Sequence, residues 1–293
     1  MKLIVRGVAG AVLFGLCTVQ GPTPANGGAN GRFYLRAIPS SEVHHFQAPR
    51  RHHRRIDEST STSLNWSGYA IETNLSRPAS NAVSDVAGGW IVPAAVASAS
   101  KDTYSSAWVG IDGYSSDSVE QIGTEQDWTP RGAEYYAWFE MYPNWGYEIV
   151  NFPVHPGDTI TAMVAYTGSK TVTVNEGRGR KTTEVIENFK LTITNLTHAA
   201  TYTTTQQIQS ASRSSAEWVM EAPSEYSVLP LADFKVVDFF GCDATVNRVT
   251  GPIGDTAWQN DALTMETFAG VAKAVPSALT SGGSAFTVTW KHE

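Results

Sequence analysis

Alternating apolar and polar positions begin near Leu64 and continue to the end of the chain. Clear examples lie at residues 159–166, 171–174, 189–195 and 286–290. Residues two apart on a β-strand share a face, so this period is typical of half-buried strands. Gly, Pro, Asn, Asp and Ser separate the runs, and we expect turns there, for example at residues 167–169. No stretch has a capped helical period, so the pattern predicts one all-β domain, an antiparallel sandwich or barrel.

The N-terminal part has a different pattern of charged, apolar and small residues. Lys2 and Arg6 precede an uncharged apolar run over residues 7–19, and small residues follow at 23–27. This order is typical of a signal peptide, and the run is short for a membrane span. No later stretch is long and apolar enough for a membrane helix. We therefore expect a signal peptide over residues 1–26 and a secreted protein; the alternative is a buried apolar segment.

Charge is divided very unevenly along the chain. Residues 1–56 hold 8 of the 21 Lys and Arg against one acid, which leaves 13 bases and 27 acids, a net charge of −14, after Ile56. A basic run can bind nucleic acid, but an acidic body repels a polyanion. We therefore expect a basic propeptide over residues 27–60 that docks on an acidic domain at 61–293, with processing near residues 50–55. A disordered basic linker is the open alternative.

Several kinds of chemistry find no support in the sequence. Loss of a signal peptide would remove Cys17 and leave Cys242 without a partner for an intramolecular disulfide. After Ile56 the only histidines are His155, His198 and His292, and no two have metal-ligand spacing. There is no Gly-x-Ser-x-Gly elbow, no phosphate-binding loop and no pair of Asp-Thr-Gly loops. We expect no metal and no cofactor, which leaves carboxylates, amides and aromatics for chemistry.

Two segments concentrate those groups, residues 105–143 and residues 214–223. On a strand, Trp138, Glu140 and Tyr142 would project together. Glu217 and Glu221 would also share a face. An acidic and aromatic wall of this kind suits a substrate cleft on a sheet. The alternative for each residue alone is a core Trp or a solvated acid.

Six features, in this order, resemble the eqolisin family of glutamic peptidases. They are Asn65-Trp66-Ser67-Gly68-Tyr69, Gly89-Trp90-Ile91-Val92-Pro93, Trp108-Val109-Gly110-Ile111-Asp112-Gly113, Gln121-Ile122-Gly123-Thr124, Ala137-Trp138-Phe139-Glu140-Met141-Tyr142-Pro143 and Ala216-Glu217-Trp218. The resemblance covers roughly residues 64–243. It implies an antiparallel β-sandwich of two large bent sheets, similar to the jelly roll of concanavalin-type lectins.

The resemblance also implies an acid endopeptidase with a catalytic dyad of Gln121 and Glu217. Glu217 would act as general base on the attacking water, and the Gln121 amide would stabilise the oxyanion. A carboxylate base works in acid, where a His would be protonated. Substrate contacts are implied for Trp108, Asp112, Trp138, Glu140 and Tyr142.

Two departures from the family pattern lie close to these residues. The segment from Asp112 to Gln121 is one residue shorter than the pattern, and Tyr136 stands where an Asp is implied. Gln126 is an alternative to Gln121, although Gln121 alone is followed by the family's residue-Gly step.

Two other functions remain open for such a sandwich. One is a glycoside hydrolase that pairs Glu217 with Glu221 or Glu140. The other is a lectin-like binding module without catalysis. The Gln121 motif disfavours the first and the basic prosegment disfavours the second. We therefore expect a monomeric peptidase acting on proteins or peptides, restrained by its own propeptide, with no nucleic-acid or membrane partner.

Overall fold

The structure, a computed structural model, describes residues 33–38, 60–97, 101–175, 180–280 and 282–293. All regular elements in these ranges are β-strands: β1 (Tyr34–Ala37), β2 (Thr60–Ser63), β3 (Trp66–Glu72), β4 (Val83–Ile91), β5 (Ser106–Ile111), β6 (Val119–Thr129), β7 (Gly132–Tyr142), β8 (Tyr147–Val150), β9 (Thr159–Asn175), β10 (Lys181–Asn195), β11 (Ala200–Gln209), β12 (Ser215–Glu221), β13 (Val236–Val246), β14 (Val249–Pro252), β15 (Gln259–Glu266), β16 (Ala272–Pro276) and β17 (Phe286–Trp290). None of the described residues forms a helix long and apolar enough to span a bilayer. The expected signal peptide and the basic cluster at 50–55 lie outside the described residues.

The strands form two layers. The front sheet has the order β1-β8-β7-β6-β5-β12-β3-β15. The back sheet has the order β17-β13-β4-β9-β10-β11. All of these pairings are antiparallel, while β2 lies parallel to β15. The predicted all-β antiparallel sandwich is confirmed. In addition, β16 pairs with both β15 and β17 and so connects the two layers into one continuous sheet.

The hydrophobic core lies between the two sheets. Val109 and Trp218 point inward from the front sheet, and Trp90 and Phe189 point inward from the back sheet. All four side chains are fully buried. The Trp218 indole Nε1 also donates to the carbonyl of Ala87 in β4 at 2.7 Å, which ties the sheets together. Alternate residues of the front-sheet strands therefore face away from this core.

The turn expected at residues 167–169 is wrong, because these residues continue β9. Gly168 has a φ of +130°, and the register with β10 shifts between Asn188 and Phe189. The Asn188 side-chain amide donates to the Gly168 carbonyl at 3.0 Å across this irregularity. A β-bulge bends a strand without ending its ladder. The Gly and Ser there mark a bend in one long hairpin.

A short strand from the expected propeptide is also part of the front sheet. In β1, Tyr34 pairs with Val150 of β8, and the ladder continues to Ala37. Ile38 follows; its backbone N–H donates to the Gly146 carbonyl at 2.9 Å, and its side chain is only 7% exposed. This segment is therefore bound to the domain at the edge of the front sheet.

Candidate active site

The register of three neighbouring strands brings the predicted dyad together. Gln121 of β6 lies opposite Gly110 of β5, and Gly110 lies opposite Glu217 of β12. Residues directly opposite in a ladder point to the same face. Adjacent strands lie about 4.8 Å apart, so the Cα atoms of Gln121 and Glu217 are about 10 Å apart. An amide and a carboxylate thus face each other across a glycine, on the front-sheet face that points away from the core.

Gly110 keeps the space between these two side chains open. A Cβ at this position would lie 3.1 Å from the Gln121 Cβ and 2.9 Å from Cζ3 of Trp108. Gly123 has a similar role, because a Cβ there would lie 2.5 Å from the Cβ of Trp108. The two glycines therefore make room for the Trp108 indole and for the gap beside it.

Glu140 orients the Gln121 amide. It lies opposite Gln121 in the β6–β7 ladder, and Gln121 Nε2 donates to Glu140 Oε2 at 3.1 Å. Trp138 and Tyr142 flank Glu140 on the same face, as the two-residue period predicts. The Trp138 indole Nε1 donates to Ser106 Oγ at 3.0 Å. These hydrogen bonds give one wall of the site a defined geometry.

Glu221 anchors the neighbouring aromatic group. Its Oε2 accepts the Trp108 indole N–H at 2.8 Å, and its Oε1 accepts the Asn65 amide at 3.0 Å. The Trp108 ring meets Trp66 edge to face, with centroids 4.8 Å apart. Burial raises the pKa of Glu221 well above its ordinary range, although the donors around it oppose that shift. The structure thus assigns Glu221 the task of holding Trp108.

Glu217 is fully buried and electrostatically perturbed. Burial is the largest cause that raises its pKa well above the ordinary value of 4.5, and the charges of Asp112 and Glu72 act in the same direction. The Ser215 hydroxyl opposes the shift, although among the described residues neither carboxylate oxygen has a hydrogen bond of standard geometry. A carboxyl with a raised pKa is a strong base once ionised, which suits proton abstraction from water.

Asp112 ties the end of β5 to the start of β12. Its carboxylate accepts backbone N–H bonds from Arg213 at 2.6 Å and from Ser214 at 2.9 Å. Its own N–H donates to the Ser215 carbonyl at 3.1 Å, and its φ is +71°. These contacts position the strand that carries Glu217. The expected contact of Asp112 with substrate stays a prediction.

The structure also shows where Gln126, the alternative to Gln121, and Tyr136, the departure from the family pattern, lie. Gln126 is on the opposite face of β6 from Gln121, where its Nε2 donates to Thr124 Oγ1 at 2.6 Å. The same hydroxyl accepts the Trp90 indole N–H from the core at 2.9 Å, so Gln126 is not beside Glu217. Tyr136 lies opposite Glu125 and packs on the cluster that contains Trp108.

Three further residues near the dyad, Asp261, Tyr114 and Ser61, were missed by sequence analysis. Gln121, Gly110 and Glu217 lie opposite one another on neighbouring strands. This series of paired residues continues from Glu217 to Ala70 of β3 and then to Asp261 of β15. The Tyr114 hydroxyl donates to Asp261 Oδ2 at 2.7 Å, and the Ser61 hydroxyl donates to the same oxygen. Alternation in β15 indicates which residues share a face with Asp261, but no local signal shows that β15 lies beside β3.

Sequence comparisons relate the chain to known proteins. A sequence model of the Peptidase A4 family matches residues 64–290. Aspergillopepsin-2 from Aspergillus niger is 27% identical over 172 residues, which cover 57% of this chain and 53% of that protein. The aligned part thus spans about half the length of this curated relative.

Two solved structures share the fold. One is scytalido-glutamic peptidase with a transition state analog inhibitor, at 21% identity, with a TM-score of 0.58 over 78% of this chain and 98% of that chain. The other is SCP-B, a member of the eqolisin family of peptidases, in complex with the tripeptide Ala-Ile-His, at 21% identity, with a TM-score of 0.56 over the same shares. Both likenesses concern the architecture of the β-sandwich.

Proposed function

The chain belongs to the Peptidase A4 family, and on that premise we propose that it is a glutamic endopeptidase with Gln121 and Glu217 as its catalytic dyad. The observation that carries this proposal is the row in which only Gly110 separates the two side chains. About 10 Å between the two Cα atoms leaves room between the side-chain ends for a water molecule and a peptide carbonyl. The substrates proposed are peptides and proteins.

In this mechanism Glu217 takes a proton from the water that attacks the scissile carbonyl. It then passes the proton to the leaving nitrogen, so one carboxyl acts as base and as acid. The Gln121 amide donates to the oxyanion that develops on the carbonyl oxygen. Glu140 contributes by fixing the amide, whose Nε2 lies 3.1 Å from Glu140 Oε2. Both functional groups sit on paired strands of a continuous sheet, which preorganises them.

The pH dependence of Glu217 differs between the closed and the open site. Because burial raises the pKa of Glu217 in the closed site, the base is ionised there only above its usual titration range. The acid limb of kcat/KM reports the free, open enzyme, in which exposure of Glu217 returns its pKa toward the ordinary value of 4.5. The proposed enzyme therefore works in mild acid and loses its base in strong acid.

A two-carboxylate glycosidase fits the geometry less well. Glu217 and Glu221 are four residues apart on β12, so their Cα atoms are separated by about 13 Å. Glu140 lies three strands from Glu217, at about 14 Å. Where side chains project side by side from one face, their carboxyl groups keep similar separations, which exceed the roughly 5–9.5 Å between the carboxyl groups of glycosidases. Glu221 and Glu140 are in addition engaged with Trp108 and Gln121.

We further propose that the segment around β1 keeps the precursor latent. Gln121 and Glu217 are fully buried, so a peptide reaches Glu217 only when some of the residues that cover it move away. Ile38 belongs to the apolar cluster of Trp66, Trp108 and Trp138 on the face of the dyad. A Cβ on Gly146 would lie 3.6 Å from both Ile38 Cδ1 and Glu140 Cβ. Ile38 is therefore close to Glu140, the residue that binds the Gln121 amide.

The anchor of this segment is mainly backbone pairing and apolar contact. Within the described residues its one ion pair joins Arg36 to Glu148, and the Arg36 side chain is 72% exposed. An exposed pair contributes little, so loss of this pair would weaken the anchor only slightly. Release through charge would depend on the basic cluster at residues 50–55, outside the described residues. Secretion of this precursor as a monomer, directed by the signal peptide expected over residues 1–26, is part of the proposal.

Two substitutions test the dyad. We expect Glu217→Gln and Gln121→Ala each to lower kcat on casein by at least 100-fold, since loss of one oxyanion donor costs about 2.7–4 kcal/mol. Matched controls are Glu225→Gln and Gln207→Ala, at exposed positions. Circular dichroism should show an unchanged fold in all four variants. Near wild-type turnover in either dyad variant, or hydrolysis of a β-glucan instead of casein, would contradict the proposal.

A further inference from the structure

We propose that His155, Asp158 and His198 form a binding site for a divalent transition-metal ion such as Zn²⁺. Asp158 immediately precedes β9, and His198 lies in the turn between β10 and β11. The cluster belongs to the back sheet, whereas the dyad lies on the outer face of the front sheet. It is therefore a second site, separate from the proposed peptidase chemistry.

Two distances within the cluster are close to those of a tetrahedral coordination shell. His198 Nε2 lies 3.1 Å from Asp158 Oδ1, and His155 Nδ1 lies 3.4 Å from Asp158 Oδ2. With Zn–N and Zn–O bonds near 2.0–2.2 Å, ligand atoms around tetrahedral zinc are about 3.3 Å apart. Each nitrogen already has this spacing to one oxygen of the Asp158 carboxylate, and the two contacts use different oxygens.

The two imidazoles need only a small movement to complete the shell. All three ligand atoms lie within 4.8 Å of one another, so the nitrogens would approach by at most about 1.5 Å. The side chains of His155 and His198 are 63% and 41% exposed, which leaves them free to turn. Their ring centroids are 5.1 Å apart.

The carboxylate, in contrast, is buried and held in place by two hydrogen bonds. Asp158 Oδ2 accepts the His155 backbone N–H and the Asn195 side-chain amide, each at 2.8 Å. Asn195 Oδ1 accepts the backbone N–H of His198 at 3.1 Å. One buried Asn thus orients the carboxylate and the turn that carries the second His. Metal ligands are typically oriented by such outer hydrogen bonds.

The donor set selects the class of ion. Two imidazole nitrogens and one carboxylate oxygen suit Zn²⁺, Cu²⁺, Ni²⁺ or Co²⁺, whereas Mg²⁺ and Ca²⁺ prefer oxygen ligands alone. Three protein ligands leave one position for water. The bound ion would link the turn before β9 to the turn after β10, two segments that meet at one end of a long hairpin. Sequence spacing could not reveal this site, because the hairpin brings the histidines together from far apart in the chain.

Zinc titration of the full-length chain tests the site. The histidines of the basic segment could bind zinc themselves, so the chain carries Asn at His44, His45, His52 and His53. Calorimetry at pH 7.5 should show one Zn²⁺ per chain and no heat with Mg²⁺. Zn²⁺ should also raise Tm.

Single substitutions then locate the ion. His155→Gln and His198→Gln should each weaken zinc binding at least tenfold, whereas the matched control His292→Gln should bind as the parent does. Because both ligand imidazoles are exposed, these variants should keep the metal-free Tm of the parent. Absence of saturable zinc binding, or an unchanged affinity in either ligand variant, would overturn the proposal and leave a histidine–aspartate hydrogen-bond cluster.

Discussion

At the residue scale, the site depends on a position that has no side chain. Gly110 separates Gln121 from Glu217, and a Cβ there would meet Gln121 Cβ at 3.1 Å and Trp108 Cζ3 at 2.9 Å. Trp108 cannot easily give way, since it is fully buried and its N–H is bound to Glu221. A methyl group at this position would therefore displace one member of the proposed dyad or the indole beside it.

We accordingly expect Gly110→Ala to lower kcat/KM at least tenfold, because misplacement by about 1 Å costs up to 100-fold. Kinetics on a peptide substrate measure the effect, and circular dichroism shows that the fold is retained. The matched control is Gly282→Ala, where a Cβ would have its nearest neighbour at 3.9 Å. Unchanged kcat/KM in Gly110→Ala would show that the gap is not needed.

What the sequence could predict at this scale follows from strand periodicity and motifs. The alternation in β7 correctly placed Trp138, Glu140 and Tyr142 on one face. The hydrogen bonds of Asp112 to the backbone of Arg213 and Ser214, and the place of Asp261 beside the proposed dyad, were not predictable. Both depend on which strands are neighbours, and β15 meets β3 from the far end of the chain.

At the scale of elements, β1 is the most informative strand. It comes from the expected propeptide, yet it extends the front sheet beside β8 and delivers Ile38 to the aromatic cluster of the site. Net charge predicted docking of this segment, but backbone pairing and an apolar contact provide the described anchor. Strand addition of this kind leaves no signal in charge patterning.

If β1 keeps the precursor latent, Ile38→Asp should release it, because a charge in an apolar cluster costs several kcal/mol. We expect the intact precursor to cleave a short peptide near pH 6 at least tenfold faster than the wild type does. Gel electrophoresis must show that the chain is still unprocessed during the assay. Tyr34→Asp is the control, since Tyr34 is 59% exposed at the other end of β1. Equal rates for the Ile38→Asp and wild-type precursors would show that Ile38 does not keep the precursor latent.

At the scale of the whole molecule, the described part of the chain buries many acids in a protein that is acidic overall. Burial is the first cause that raises the pKa of five carboxyl groups well above their ordinary values: Glu120, Glu125, Asp127, Glu217 and Glu221. The pKa of Asp158 shifts in the opposite direction, because hydrogen bonds from Asn195 and His155 outweigh its burial. The sequence showed the excess of acids, but not that these acids are buried.

Stability should therefore be greatest in acid and fall toward neutral pH. A carboxyl whose pKa is higher in the folded state binds more protons folded than unfolded, so its contribution is complete below about pH 4 and is lost as the pH rises through the folded pKa. Each kcal/mol lost lowers Tm by about 2–4 °C for a domain of this size, and we expect at least that decrease between pH 4 and pH 7. Calorimetry of Gln121→Ala, which should not digest itself, measures it. Glu120→Gln mimics the protonated form of a fully buried acid and should make the decrease shallower, whereas the exposed Glu225→Gln should not. A Tm that rises from pH 4 to pH 7 would show that the buried carboxyls are ionised in the folded protein.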